Sequence, residues 1–132
     1  VRPFIVSEFG SEALYGWRAP FGSQWSENHQ AAAIASAGKE ILVRNDINGL
    51  VIWQFCDCRR PDSSPKMASH RIQQELAADQ ITAVGFGGGA MPIAARGHNC
   101  KGLVDEHRRP KLAYDAMRAL CVSASKWLDG GA

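Results

Sequence analysis

The sequence predicts an α/β fold of parallel strands with covering helices, and three observations carry that prediction. Phe4-Ile5-Val6 and Leu50-Val51-Ile52-Trp53 are unbroken apolar runs, the pattern of strands covered on both faces. Between them lies a long stretch with apolar residues at helical spacing. Strand, helix and strand in that order form a βαβ unit, whose two strands run parallel and end at the same edge of the sheet.

A chain of 132 residues can bury one ordinary core, but it falls short of the roughly 250 residues of a closed eight-fold βα barrel. At 45% hydrophobic and 21% charged, the composition is that of a globular protein rather than a disordered one. A formal net charge of +2 gives no electrostatic case for nucleic acid or an anionic membrane as partner. Cys56, Cys58, Cys100 and Cys121 fit neither zinc-ligand nor Cys-x-x-Cys spacing, so they read as reduced and unpaired in a cytoplasmic chain with no bound metal, with a disulfide as the alternative that an even count of four leaves open. Gly85-Phe86-Gly87-Gly88-Gly89 lacks the Gly-Lys-Ser/Thr ending of a phosphate loop, and no cofactor is expected. The start shows no leader pattern, and no apolar run is long enough to span a bilayer. Opening on Val1-Arg2-Pro3 and straight into a strand, the chain reads as a piece of something longer.

The first strand ends abruptly in Ser7-Glu8-Phe9-Gly10. Ser11 to Gln24 is irregular and rich in glycine and aromatic residues, either a functional loop or one packed by its own rings. A helix follows, with Ser26 as N-cap and Glu27 at the positive end of the dipole. It runs to about Arg44, with Ala33, Ile34, Ala37, Ile41 and Leu42 on its apolar face. Asn48-Gly49 turns the chain into the second strand, Leu50 to Phe55. Arg59 to His98 is the least regular part, with a loop signal at Pro61 to Pro65 and helix-favouring composition at Ile72 to Asp79. Gly102-Leu103-Val104 is a short extended piece. Arg108-Arg109-Pro110 then opens the last helix with Pro110 in its first position, and Leu112, Ala113, Ala116, Met117 and Leu120 face inward.

Glu8 and Trp53 are the residues with chemistry in them. A carboxylate at a strand end beside an aromatic from the next strand suits a sugar. The apolar sugar face stacks on the indole, and the carboxylate attacks the anomeric carbon. Taken alone, local capping or pairing explains Glu8 better.

Five motifs in order add to this reading. Ser7-Glu8-Phe9-Gly10 resembles the Thr-Glu-Tyr-Gly segment around the nucleophile of glycoside hydrolase family 2. Trp25-Ser26-Glu27-Asn28-His29-Gln30 resembles the Trp-Ser-Glu-Glu-Tyr-Gln segment of the family's β-glucuronidases, and Ile52-Trp53-Gln54-Phe55-Cys56-Asp57 the Val-Trp-Asn-Phe-Ala-Asp strand. Asn99-Cys100-Lys101-Gly102 is similar to the Asn-x-Lys-Gly motif, and Arg109-Pro110-Lys111 to the opening of the final helix.

The resemblance implies the C-terminal quarter of a (β/α)8 TIM barrel, from strand seven to helix eight. Residues 1–132 would be one partial catalytic domain, with 59–98 a long irregular insertion loop. It implies retaining hydrolysis of β-glycosidic bonds, β-D-glucuronides foremost. Glu8 would be the nucleophile, Trp53 would line the subsite of the cleaved sugar, and Asn99 and Lys101 would hold the uronate carboxylate. The implied partners are the carbohydrate substrate and either the missing N-terminal part of the enzyme or a second copy.

Two departures limit the match. The segment between Asp57 and Asn99 is longer than its counterpart, which loosens the register of Lys101. The family's acid/base glutamate follows an asparagine, and this sequence contains no Asn-Glu pair. Glu12 is a poor stand-in, since no strand fixes it. The isolated chain is therefore expected to be inactive. The alternative is a non-catalytic carbohydrate-binding or oligomerising βα module, whose exposed sheet edges would demand a partner. Unrelated chemistry on a flavodoxin-like sheet is disfavoured by the lack of a credible nucleotide loop.

Overall fold

The computed structural model describes residues 2–19, 23–59 and 98–129, with side chains as far as residue 124. The expectations for Pro61 to Pro65, Ile72 to Asp79 and the glycine-rich stretch at 85–89 lie outside them. The elements are β1 (Ile5–Phe9), α1 (Glu27–Leu42), β2 (Gly49–Ile52), β3 (Cys58–Arg59), β4 (His98–Asn99) and α2 (Leu112–Asp129).

β1 and β2 pair in parallel through Ile5–Gly49, Val6–Leu50 and Phe9–Ile52, as the βαβ reading requires. β3 and β4 pair antiparallel, so Arg59 and His98 are strand residues facing each other rather than the ends of an irregular stretch. The expectation of strands covered on both faces fails. Phe4, Ile5 and Val51 are 59%, 55% and 51% exposed. The physical reason is that, among the described residues, β1 and β2 pair only with each other. Among the described residues helices cover one face alone, where Phe9 and Ile52 pack against the core.

α1 starts where its cap says it should: Ser26 Oγ accepts from the His29 amide at 3.1 Å. It stops at Leu42, with Val43 as C-cap, two residues short of the expected end. Its buried line is Glu27, Gln30, Ile34 and Gly38, while Ala33, Ala37, Ile41 and Leu42 are only half-buried. Gly38 lies in that line because a Cβ there would collide with the Leu120 side chain. Ile34, Leu103, Ala113 and Leu120 form the core, flanked by Ala116 and Met117. α2 begins at Leu112, so Pro110 is not its first residue. Pro110 instead bridges to Val104 in a short antiparallel contact, and the Lys111 amide donates to the Leu103 carbonyl at 3.0 Å. Among the described residues no helix is long and apolar enough to cross a membrane.

Candidate active site

The site is built where β1 and β2 end together. The Trp53 amide donates to the Phe9 carbonyl at 2.8 Å, extending the parallel ladder past the last strand residues. Gly10 sits immediately after, at φ 152°, and a Cβ there would stand 2.6 Å from the Trp53 carbonyl oxygen. Only glycine allows that approach. The tight join fixes the backbones carrying Glu8 and Trp53 relative to each other. The Trp53–Gln54 peptide is cis.

A cleft of about 490 Å³ opens at this point, and Glu8, Glu12, Trp25, His29, Trp53 and Lys101 are among its lining residues. The Glu8 carboxylate is exposed and has no hydrogen-bond or ion-pair partner among the described residues. Local capping or pairing therefore does not account for it there. Trp53 keeps 45% of its surface open beside it. Lys101 is brought to the cleft by its backbone: its amide donates to Asn99 Oδ1 at 3.1 Å, and its carbonyl accepts from the Gln54 amide at 3.1 Å. Asn99 does not line the cleft. Its side chain shapes the turn that presents Lys101, which leaves its amide nitrogen free to donate. The structure thus gathers three of the four expected site residues and places the fourth behind one of them.

The irregular loop after β1 is tied down rather than packed by its own rings. Tyr15 stacks under Arg109, whose guanidinium carbon lies 4.2 Å from the ring centre. Arg109 is held in turn by the Asp105 carboxylate at 2.6 Å.

Beneath the cleft lies a set of buried polar groups whose roles were not read from the sequence. Lys111 is 1% exposed. Its ammonium donates to the Ala13 carbonyl (2.8 Å), the Asp57 carboxylate (2.8 Å) and the Cys100 carbonyl (3.0 Å). Asp57 Oδ1 also accepts from the Gly102 amide at 2.7 Å. A Cβ on Gly102 would collide with the Asp57 amide and the Val104 carbonyl, which explains the glycine after Lys101. Burial pushes the Asp57 carboxyl above its ordinary value, against the opposing pull of Lys111 and the Gly102 amide. Burial and the nearby Asp57 charge push the Cys100 thiol up to about 11, so it stays protonated and unreactive at neutral pH.

Glu27, expected only to favour the helix dipole, is fully buried. It accepts from the Gly16 amide (2.6 Å) and the Leu112 amide (2.7 Å) and pairs with Arg18 at 3.0 Å. One carboxylate thereby caps α2 and fastens the loop. Gln30 donates to the Ser11 and Gly102 carbonyls at 2.9 and 3.1 Å, joining that loop to the Lys101 turn. The available signal was polar residues at helical spacing on a line that also carries Ile34. All four cysteines are free, and among the described residues no cluster of three His, Cys, Asp or Glu side chains could hold a metal ion.

Solved structures similar to this chain are named β-galacturonidase and β-glucuronidase, and the β-galacturonidases among them are GH2 enzymes. A GH2 β-galacturonidase from Eisenbergiella tayi, solved with galacturonate bound, aligns with a TM-score of 0.65 and 32% identity over 92% of this chain and 17% of its own. β-Glucuronidases from Bifidobacterium dentium and Faecalibacterium prausnitzii align with TM-scores of 0.59 and 0.60 and identities of 22% and 20%. These cover 89% and 91% of this chain and 14% and 16% of their own length, a likeness of fold. The chain spans about a sixth of the length of the structures it matches. No protein-family model matches it, and no curated protein does.

Proposed function

We propose that the chain is the strand-seven to helix-eight part of a (β/α)8 barrel in a retaining family 2 glycosidase that cleaves β-uronides. The observation that carries this reading is the single cleft shared by Glu8, Trp53 and Lys101. Glu8, unpaired and exposed, attacks the anomeric carbon and forms a covalent glycosyl-enzyme. A second carboxyl about 5–5.5 Å away protonates the departing oxygen and then takes a proton from water. That second group comes from outside these residues. Trp53 offers the wall on which the sugar's apolar face rests. Lys101, positioned by Asn99, supplies the point charge for the sugar carboxylate. That charge addresses a feature that β-D-glucuronides and β-D-galacturonides share. Four unpaired cysteines suit a reducing, cytoplasmic setting.

Calorimetric titration of the chain with glucuronate and galacturonate tests the site. Binding is expected, and Lys101→Met should weaken it markedly; binding indifferent to that change would count against the assignment. A chromogenic glucuronide should not be turned over by the chain alone. Turnover abolished by Glu8→Gln would show that the second carboxyl is already present and overturn the half-site reading.

A second reading has its own observation. Phe4, Ile5, Val51 and Phe55 are exposed apolar residues on or beside the two-stranded sheet. A non-catalytic module that buries them by self-association would elute as an oligomer in size-exclusion chromatography and show no sugar binding.

A further inference from the structure

We propose that Glu12 limits the preference of the cleft for acidic over neutral sugars by competing with the ligand for Lys101. The proposal rests on the uronide reading above and adds a residue that acts through Lys101 rather than on the sugar.

The juxtaposition of Glu12 and Lys101 is built into the backbone. The Ala13 amide donates to the Cys100 carbonyl at 3.1 Å, so the residues on either side of that bond are held as neighbours. The Ala13 and Cys100 carbonyls also share the Lys111 ammonium, at 2.8 and 3.0 Å. Glu12 precedes Ala13 and Lys101 follows Cys100, and the two side chains meet at the cleft, with Glu12 Oε1 3.9 Å from Lys101 Nζ. The two anchors cannot drift apart, but the tips above them are only loosely joined. The contact is at the outer limit of ion pairing, and the side chains are 31% and 36% exposed. Such a pair is weak and exchanges readily.

A uronate that brings its carboxylate to Lys101 replaces Glu12 as partner and then has Glu12 as a like-charged neighbour. A neutral sugar brings no such group and leaves the pair intact. Glu12 therefore opposes the acidic ligand without touching the neutral one.

The test is calorimetric titration of the 132-residue chain with glucuronate and, separately, with the neutral probe methyl β-D-glucoside. Glu12→Gln should tighten glucuronate binding by about fivefold, the size of effect expected from removing one exposed charge. It should leave the glucoside unchanged, and the tightening should shrink when Lys101→Met is also present. Glu12→Asp, which keeps the charge, should retain the wild-type ratio between the two ligands. Unchanged or weaker glucuronate binding by folded Glu12→Gln overturns the proposal. So does a parallel change in both ligands, which would mark a structural role. If no form binds either sugar, the uronide reading falls and the role of Glu12 falls with it.

Discussion

Lys111 and Lys101 belong to one short segment, and the fold treats their charges oppositely. Lys111 is buried, and its ammonium faces three acceptors within 3.0 Å, drawn from the loop after β1, the residue just before β3 and the turn before Lys101. Lys101 keeps a third of its side chain in water and has one distant partner among the described residues. A buried charge is tolerable only when it is fully answered, so the first lysine has no freedom left to recognise anything. The second is free to do so because the first holds its backbone in place.

The sharpest way to break the comparison is to exchange the treatment of the two lysines. Lys111→Met strands the Asp57 carboxylate and two carbonyls, and should lower unfolding free energy by about 3–5 kcal/mol in urea titrations. Lys101→Met should stay within about 0.5 kcal/mol of wild type in the same measurement. Equal losses would erase the distinction. Glu27→Gln is expected to fall between them. One oxygen of Glu27 is lost as an acceptor for a buried backbone amide, a loss of about 1–3 kcal/mol that a shifted urea midpoint would show.

The smallest effect is electrostatic. Arg59, hydrogen-bonded to Glu106 through both carboxylate oxygens, holds that carboxyl down at about 2. The folded value lies below the unfolded one, so the stabilisation is complete above about pH 4.5 and drains as pH falls toward 2. Asp57, held above its ordinary value, works in the opposite sense and loses stability as pH rises. The clean measurement is therefore the difference between wild type and Glu106→Gln, in urea midpoints at pH 6, 4 and 3. That difference should narrow on acidification, and a constant difference would refute the assignment.

What was legible in the sequence was local. Ser26 announced the start of α1 through its own hydroxyl, and the apolar runs flanking that helix announced a parallel pair. Placement of Glu8 and Trp53 at one edge followed from topology alone. The rest depended on partners distant in the chain. Ile5 and Val51 declare an appetite for burial, but apolarity does not say whether a cover is at hand, and here one face stays open. Glu27 is read from sequence only as a charge suited to the helix dipole and Gln30 carries no structural reading, because a helical wheel assigns polar residues outward. Their burial is explained by amides and carbonyls of Gly16, Leu112, Ser11 and Gly102, which no periodicity reveals. The turn that Asn99 makes with its own chain has no counterpart in the sequence pattern.

Gly10 has a consequence for how such a site can change. With the Trp53 carbonyl pressed against it, there is no slack between the end of one strand and the start of the other's loop. Glu8 and Trp53 thus share one frame of reference, like two marks on a single ruler. Drift in the surrounding loops can alter what the cleft prefers while that spacing persists. A graft of this site onto another scaffold would have to carry both strands together, with the glycine between them intact.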